Sequence, residues 1–229
     1  MTAADETPSE PRTRRGRGNR AGLTQARIVE AVRDLDPDTI TVQAVADRLG
    51  VDRATVHHHI SDLGTLRELM ALDAFAAEFQ PVEIAPDATW REACRALAYS
   101  MHDAVIAANG HGAYIELSST DVVLLEPVEH TLRIMMAAGF DDETAARGLA
   151  TLASFAAAAA REQLVARRSS GHPQVPELLR ALDDPRGAGF TNLRRLAEAD
   201  LVGVDDAQLH TSIDLILDGM AARLANSGR

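Results

Sequence analysis

Two short apolar periodicities separated by a single glycine constrain this chain more than any other feature. In Thr41 to Ile60, TVQAVADRLGVDRATVHHHI, Val42, Val45, Ala46 and Leu49 recur at i, i+3, i+4, i+7, the spacing that gives a helix one face to bury. Gly50 ends that helix, because glycine takes the left-handed conformation at a helix C′ position without steric cost. Asp52 is placed to cap a second helix, with Val51 and Val56 spaced to clamp its start as a hydrophobic staple. Two short helices joined by a tight glycine turn are a helix-turn-helix. In the second helix Val56, His59 and Ile60 share the inward face, which leaves Arg53, Thr55, His57 and His58 projecting outward. Such a surface suits entry into a DNA major groove.

Composition supports a helical frame around this motif. Hydrophobic residues make up 46% of the 229 residues but aromatics only 3%, and the dominance of Ala and Leu favours helix over sheet. The expected fold class is all-α. The single Cys94 excludes an internal disulfide, and the absence of an export signal makes a reducing cytoplasm the expected location. No apolar run approaches the length of a membrane span. A net charge of -11 excludes a general nucleic-acid coat, but the charge is uneven. Residues 1–80 hold 10 Arg against 13 acidic residues, and residues 81–229 hold 13 against 21. Five arginines, Arg12, Arg14, Arg15, Arg17 and Arg20, fall within nine residues. All 23 basic residues are Arg, whose planar fork can pair bidentately with phosphate or guanine.

Three segments follow. Residues 1–20, rich in Pro, Gly and charge, read as a disordered basic arm that could lie along phosphates or remain a solvated tail. Residues 21–80 read as a DNA-binding head. Its first helix starts near Thr24, with Ile28, Ala31, Val32 and Leu35 on one face, and Pro37 follows. After the helix-turn-helix, a connecting helix runs from Ser61 or Asp62 to about Phe79, with Leu66, Leu69, Met70, Asp73 and Ala77 as its stripe. The aperiodic stretch holding Pro81 and Pro86 marks a boundary, and residues 81–229 read as a larger helical domain. Trp90, Cys94, Leu97, Met101, Val105 and Ala108 define an amphipathic helix capped by Thr89 and ending at Asn109-Gly110, and His111 to Leu117 is a short element. Helices are expected over Glu126 to Ala138, Asp141 to Arg168, Pro176 to Leu182, Phe190 to Ala199 and Asp205 to Ala225, with polar loops over Ser169 to Val175 and Asp183 to Gly189. The run Ala156 to Ala160 allows close approach of another helix, and Leu209, Ile213, Ile216, Leu217, Met220 and Leu224 form the strongest stripe.

The stretch Leu49 to Met70, LGVDRATVHHHISDLGTLRELM, resembles the recognition motif of the TetR family of bacterial transcriptional repressors. Trp90 to Leu117 and Phe190 to Leu224 are similar to the opening and closing helices of the tetracycline-repressor type of effector domain. The resemblance implies a homodimer that binds a palindromic operator, its recognition helices about 34 to 36 Å apart, and a small-molecule effector that releases it. It also implies a dimer interface formed by Asp141 to Arg168 and Asp205 to Ala225 as a four-helix bundle. Three features depart from the family pattern. The aromatic pair of the recognition helix is His57-His58, Leu63 and Gly64 stand near the usual Lys, and the metal-binding His falls at Glu116, while Glu162 matches the second acidic position.

The DNA-contact candidates are Thr41, Val42, Arg53, Ala54, Thr55, His57 and His58, with Arg17 and Arg20 from the arm. Arg53 and Thr55 stand where a base contact would be made, Thr41 is expected to cap its helix, whose first turn the resemblance places on a phosphate, and His59 is a packing or capping group. Successive helical side chains point about 100° apart, so His57, His58 and His59 cannot close on one metal ion. The effector candidates are Phe79, Trp90, Met101, His102, Tyr114, Glu116, Phe155 and Glu162, most of them on apolar stripes where core packing is the plainer role. His102, Glu116 and Glu162 leave open a cation or a cationic ligand. No cofactor, resident metal or catalytic constellation is expected. A ligand-independent DNA-binding regulator, or a helical small-molecule binding protein or enzyme, remains the alternative.

Overall fold

The computed structural model describes residues 22–109, 121–168, 174–199 and 205–227. Among them the fold is all-α, with ten α-helices and no strand. Contacts divide the chain into two compact units, Met1–Leu66 and Arg67–Arg229. The Pro81 and Pro86 stretch, marked in the sequence as the boundary, falls later than this division. The reason is packing: Ala71, Phe75 and Phe79 of the connecting helix belong to the core of the second unit.

The first unit is built from α1 (Gln25–Val32), α2 (Val42–Leu49) and α3 (Arg53–His59), with the start of α4 (Leu63–Phe79). Each of the first three helices begins at a side-chain cap. Thr24, Thr41 and Asp52 accept the backbone N–H of Arg27, Ala44 and Thr55, groups that would otherwise lack a helical partner. Gly50 closes α2 with φ 65°, and the N–H groups of Gly50 and Val51 return to the carbonyl of Ala46. The core holds Ile28, Val32, Val45, Val56, Ile60 and Leu66, all nearly inaccessible. Ala31 and Leu35, expected on the buried face, are only half-buried, Leu35 because α1 ends at Val32, and Val29 is buried with Ile28 and Val32.

The second unit centres on α5 (Trp90–Ala107), which packs chiefly on α7 (Asp142–Arg168) and also on α6 (Glu126–Ala137). Thr89 and Glu92 open α5 with a reciprocal capping box, each side chain accepting the other's backbone N–H. Trp90 meets Phe140 edge-on at 4.9 Å, and Arg168 at the far end of α7 donates to Asn109 Oδ1 at 2.8 Å, so α5 and α7 run parallel. The last helix, α10 (Asp206–Ser227), runs antiparallel to α5. Its pairings climb as α5 descends: Arg91 with Asp218, Arg95 with Asp214 at 2.5 Å, and Tyr99 with His210 at 2.7 Å. Between α7 and α10 in the chain lie α8 (Gln174–Leu182) and α9 (Thr191–Glu198), which pack on each other.

Several expectations about elements are corrected. Helix α8 starts at Gln174, not Pro176, since proline is tolerated within a first helical turn. A 3-10 helix over Asp121–Leu125 leads directly into α6, and a second, Pro185–Gly187, lies in the stretch read as a loop. The connecting helix buries Leu66, Met70, Ala71, Phe75 and Phe79, while Ala77 is exposed and Asp73 half-buried. In the run Ala156 to Ala160, three alanines are buried in the chain's own core. The run therefore serves packing within one chain first. The expected elements over Gly110 to Leu117 lie outside the described residues, as does the arm.

Candidate nucleic-acid interface and effector domain

The exposed face of α3 follows from its cap and its one buried turn. Val56 is 1% exposed and Ile60 3% exposed, and these two anchor the helix to the core. Arg53, Ala54, His57 and His58 are exposed, and Thr55 is half-buried. Thr55 also belongs to the cap: its N–H and its hydroxyl both reach Asp52 Oδ1, at 2.7 and 2.8 Å. His59 is half-buried, its ring edge-on to that of His58, and its carbonyl accepts Gln25 Nε2 at 3.0 Å. That bond ties α1 to the end of α3, and no local sequence pattern marks Gln25 for the role.

On α2, Thr41 is exposed and caps its helix, while Val42 is half-buried beside it. Arg48 holds Asp34 through two contacts of 2.6 and 2.7 Å, pinning the end of α2 to the turn after α1. The same guanidinium holds the Asp34 carboxyl below its ordinary range. Asp62 accepts the N–H of Thr65 at 2.8 Å, and this bond lowers its pKa and opens α4. Arg17 and Arg20 lie outside the described residues.

The effector candidates divide. Phe79 is 3% exposed and stacks on Phe75 at 5.2 Å, while Trp90, Met101 and Phe155 pack against the same core cluster from partly buried positions. His102 is buried. Its Nδ1 lies 2.8 Å from Asp103 Oδ1, and its Nε2 is buried without a hydrogen-bond partner. Glu162 is exposed on α7, and the buried polar residue there is its neighbour Gln163, which donates to Asp206 Oδ1 at 3.1 Å. One residue is about 100° of helix, enough to exchange core for solvent. Tyr114 and Glu116 lie outside the described residues. Among the described residues no three His, Cys, Asp or Glu side chains gather as a metal site. Burial pushes the Cys94 thiol up to about 12, leaving it no thiolate for chemistry near neutral pH.

Two grooves mark the surface of the second unit. One, of about 590 Å³, lies between Val82 and Ile84 on one side and Leu125, Glu126 and His130 on the other. The other, of about 1000 Å³, lies between α7 and α10, with Gly148, Ala150, Gly219 and Leu215 in its lining. Gly148 is the close point of that helix pair: a Cβ there would stand 2.8 Å from Met220 Cε. Of the effector candidates among the described residues, Phe79, Trp90, Met101, His102, Phe155 and Glu162, none lines either groove.

Residues 84–224 match the family model of the tetracyclin repressor-like C-terminal domain. The chain belongs to the TetR family. No curated protein sequence matches it. Solved structures of TetR-family regulators share its fold. ActR of Streptomyces coelicolor in complex with (S)-DNPA superimposes with a TM-score of 0.67 at 24% identity, covering 89% of this chain and 100% of ActR. A possible TetR family transcriptional regulator from Streptomyces coelicolor A3(2) gives 0.65 at 22% identity, covering 86% of this chain and 98% of that one. A single-residue variant of TetR from Acinetobacter baumannii AYE in complex with minocycline gives 0.60 at 16%, covering 89% and 99%. The TetR-family fold thus accounts for both units of this chain, including the helix-turn-helix of the first and the Trp90 helix of the second.

Proposed function

We propose that this TetR-family chain is a transcriptional repressor that binds a palindromic operator as a homodimer and is released by a small-molecule effector. The observation that carries the DNA reading is the face of α3, where Arg53, Ala54, His57 and His58 stand exposed in front of two buried anchors. Arg53 donates bidentately to guanine O6 and N7, His57 and His58 contact phosphate or base edges, and Thr41 and Val42 seat the start of α2 on the backbone. Arg17 and Arg20 add phosphate contacts from the arm. The protein acts in the cytoplasm and carries out no catalysis.

A second copy occupies the groove between α7 and α10. Its lining suits close helix contact, since Gly148, Ala150 and Gly219 are small, and Leu215 is 66% exposed without a core to enter. The effector domain holds its ligand among Phe79, Trp90, Met101, Tyr114 and Phe155, with polar contacts from His102 and Glu116, whereas Glu162 is turned to solvent. Binding displaces α4, whose residues cross from one unit into the other, and coupling of this kind typically amounts to about 1 to 3 kcal/mol.

One observation favours the ligand-independent alternative. Phe79 and His102 are buried, and Trp90, Met101 and Phe155 pack against the core cluster, as a filled core would have it. Selection of bound sequences from random duplex DNA, followed by release assays with a compound panel, separates the readings. The panel includes actinorhodin and minocycline, because relatives have been crystallised with them. A selected palindrome released by a compound is the expected result. A palindrome that no compound releases favours the ligand-independent regulator, and no selected sequence excludes sequence-specific DNA binding.

A further inference from the structure

We propose that Thr55 reads an amino group in the major groove, adenine N6 or cytosine N4, and that Asp52 imposes this preference by claiming the Thr55 hydroxyl proton. The inference rests on the DNA-binding reading above and adds to it which bases one position accepts. Asp52 Oδ1 receives both the Thr55 N–H at 2.7 Å and the Thr55 Oγ1 at 2.8 Å. A carboxylate only accepts, whereas a hydroxyl carries one proton and two lone pairs. The proton of Thr55 is therefore committed to Asp52, and what Oγ1 retains for a partner is acceptor capacity alone.

A free threonine hydroxyl rotates to suit a donor or an acceptor, and so tells bases apart poorly. A hydroxyl fixed as an acceptor discriminates. In the major groove adenine and cytosine present amino donors at N6 and N4, while guanine O6 and thymine O4 are acceptors that would oppose its lone pairs. Thr55 is half-buried between exposed Ala54 and buried Val56, which puts the residue at the edge of the exposed face, and the bond to Asp52 fixes its hydroxyl rotor. Asp52 is the positioning residue, acting on DNA through Thr55.

The test is selection from random duplexes with the full-length protein and three variants, each checked for native helix content and melting. Thr55→Val keeps the shape and removes the hydroxyl, so preference at one position of each half-site should vanish while the rest of the operator is unchanged. The wild type should hold adenine or cytosine at that position, with affinity roughly tenfold lower per half-site when guanine or thymine replaces it. Thr55→Ser should retain the preference. Asp52→Gly keeps an accepted N-cap residue but offers no side-chain acceptor for the hydroxyl proton, and should admit all four bases there. Guanine or thymine at the position lost in Thr55→Val would overturn the inference, as would an unchanged preference in Asp52→Gly. If the wild type selects no sequence, the DNA-binding reading itself fails, which is a separate and visible outcome.

Discussion

Single side chains decide where the helices of this chain begin, and several of them do so as ionised or hydroxyl caps. Thr89 and Glu92 form the most complete of these at the start of α5, the helix on which the second unit is built. Thr89→Ala removes one half of the box and should cost about 1 kcal/mol, read as a lowered melting temperature with native helix content kept. The caps and pairs also fix the response to acid. Arg48 lowers the pKa of Asp34, the Thr65 N–H lowers that of Asp62, and Arg95 lowers that of Asp214. A carboxyl with a depressed folded pKa contributes stability above its ordinary range and loses it as pH falls through the folded value. Denaturant midpoints should thus be level near neutrality and fall below the ordinary carboxylate range. Asp214→Asn should shrink that fall, and an equal fall in wild type and variant would remove Asp214 from the account.

At the scale of elements, glycine marks two places where a helix must stop or a turn must close. A Cβ on Gly187 would lie 2.6 Å from the carbonyl oxygen of Leu182, a backbone atom that cannot yield as a side-chain tip would. Gly187→Ala should loosen the turn between α8 and α9, detected as faster amide exchange or proteolysis confined to residues 174–199. Such local features explain what was legible in the sequence. Thr41, Gly50 and Asp52 announce α2 and α3 because cap, glycine turn and apolar spacing act within a few residues of one another. The fate of Ala156 to Ala160 was not legible: its spacing shows that a helix can approach, and only the packed chain shows that its own core takes three of the five. Glu162 and Gln163 teach the same point, since a matched position along α7 says nothing of which neighbour faces the core. The effector residues were legible as apolar faces, and an apolar face is equally a wall of a cavity or filling for a core.

For the whole molecule, the groove between α7 and α10 is the feature proposed to turn one chain into two. Leu215→Arg places a charge where the second copy is proposed to pack, and should shift the protein from dimer to monomer in light scattering while helix content holds. Operator affinity should fall steeply with it, because each half-site would then be bound by one head alone. The lone thiol has a consequence of a different kind. Cys94 is fully buried and its pKa is pushed to about 12, so maleimide and methanethiosulfonate reagents will pass it by in the native protein. The natural chain is therefore a silent background for site-directed labelling. A spin label on Glu30→Cys, an exposed position of α1, would report the spacing of the two heads in a dimer, with and without each compound of the panel, without first engineering a cysteine-free protein.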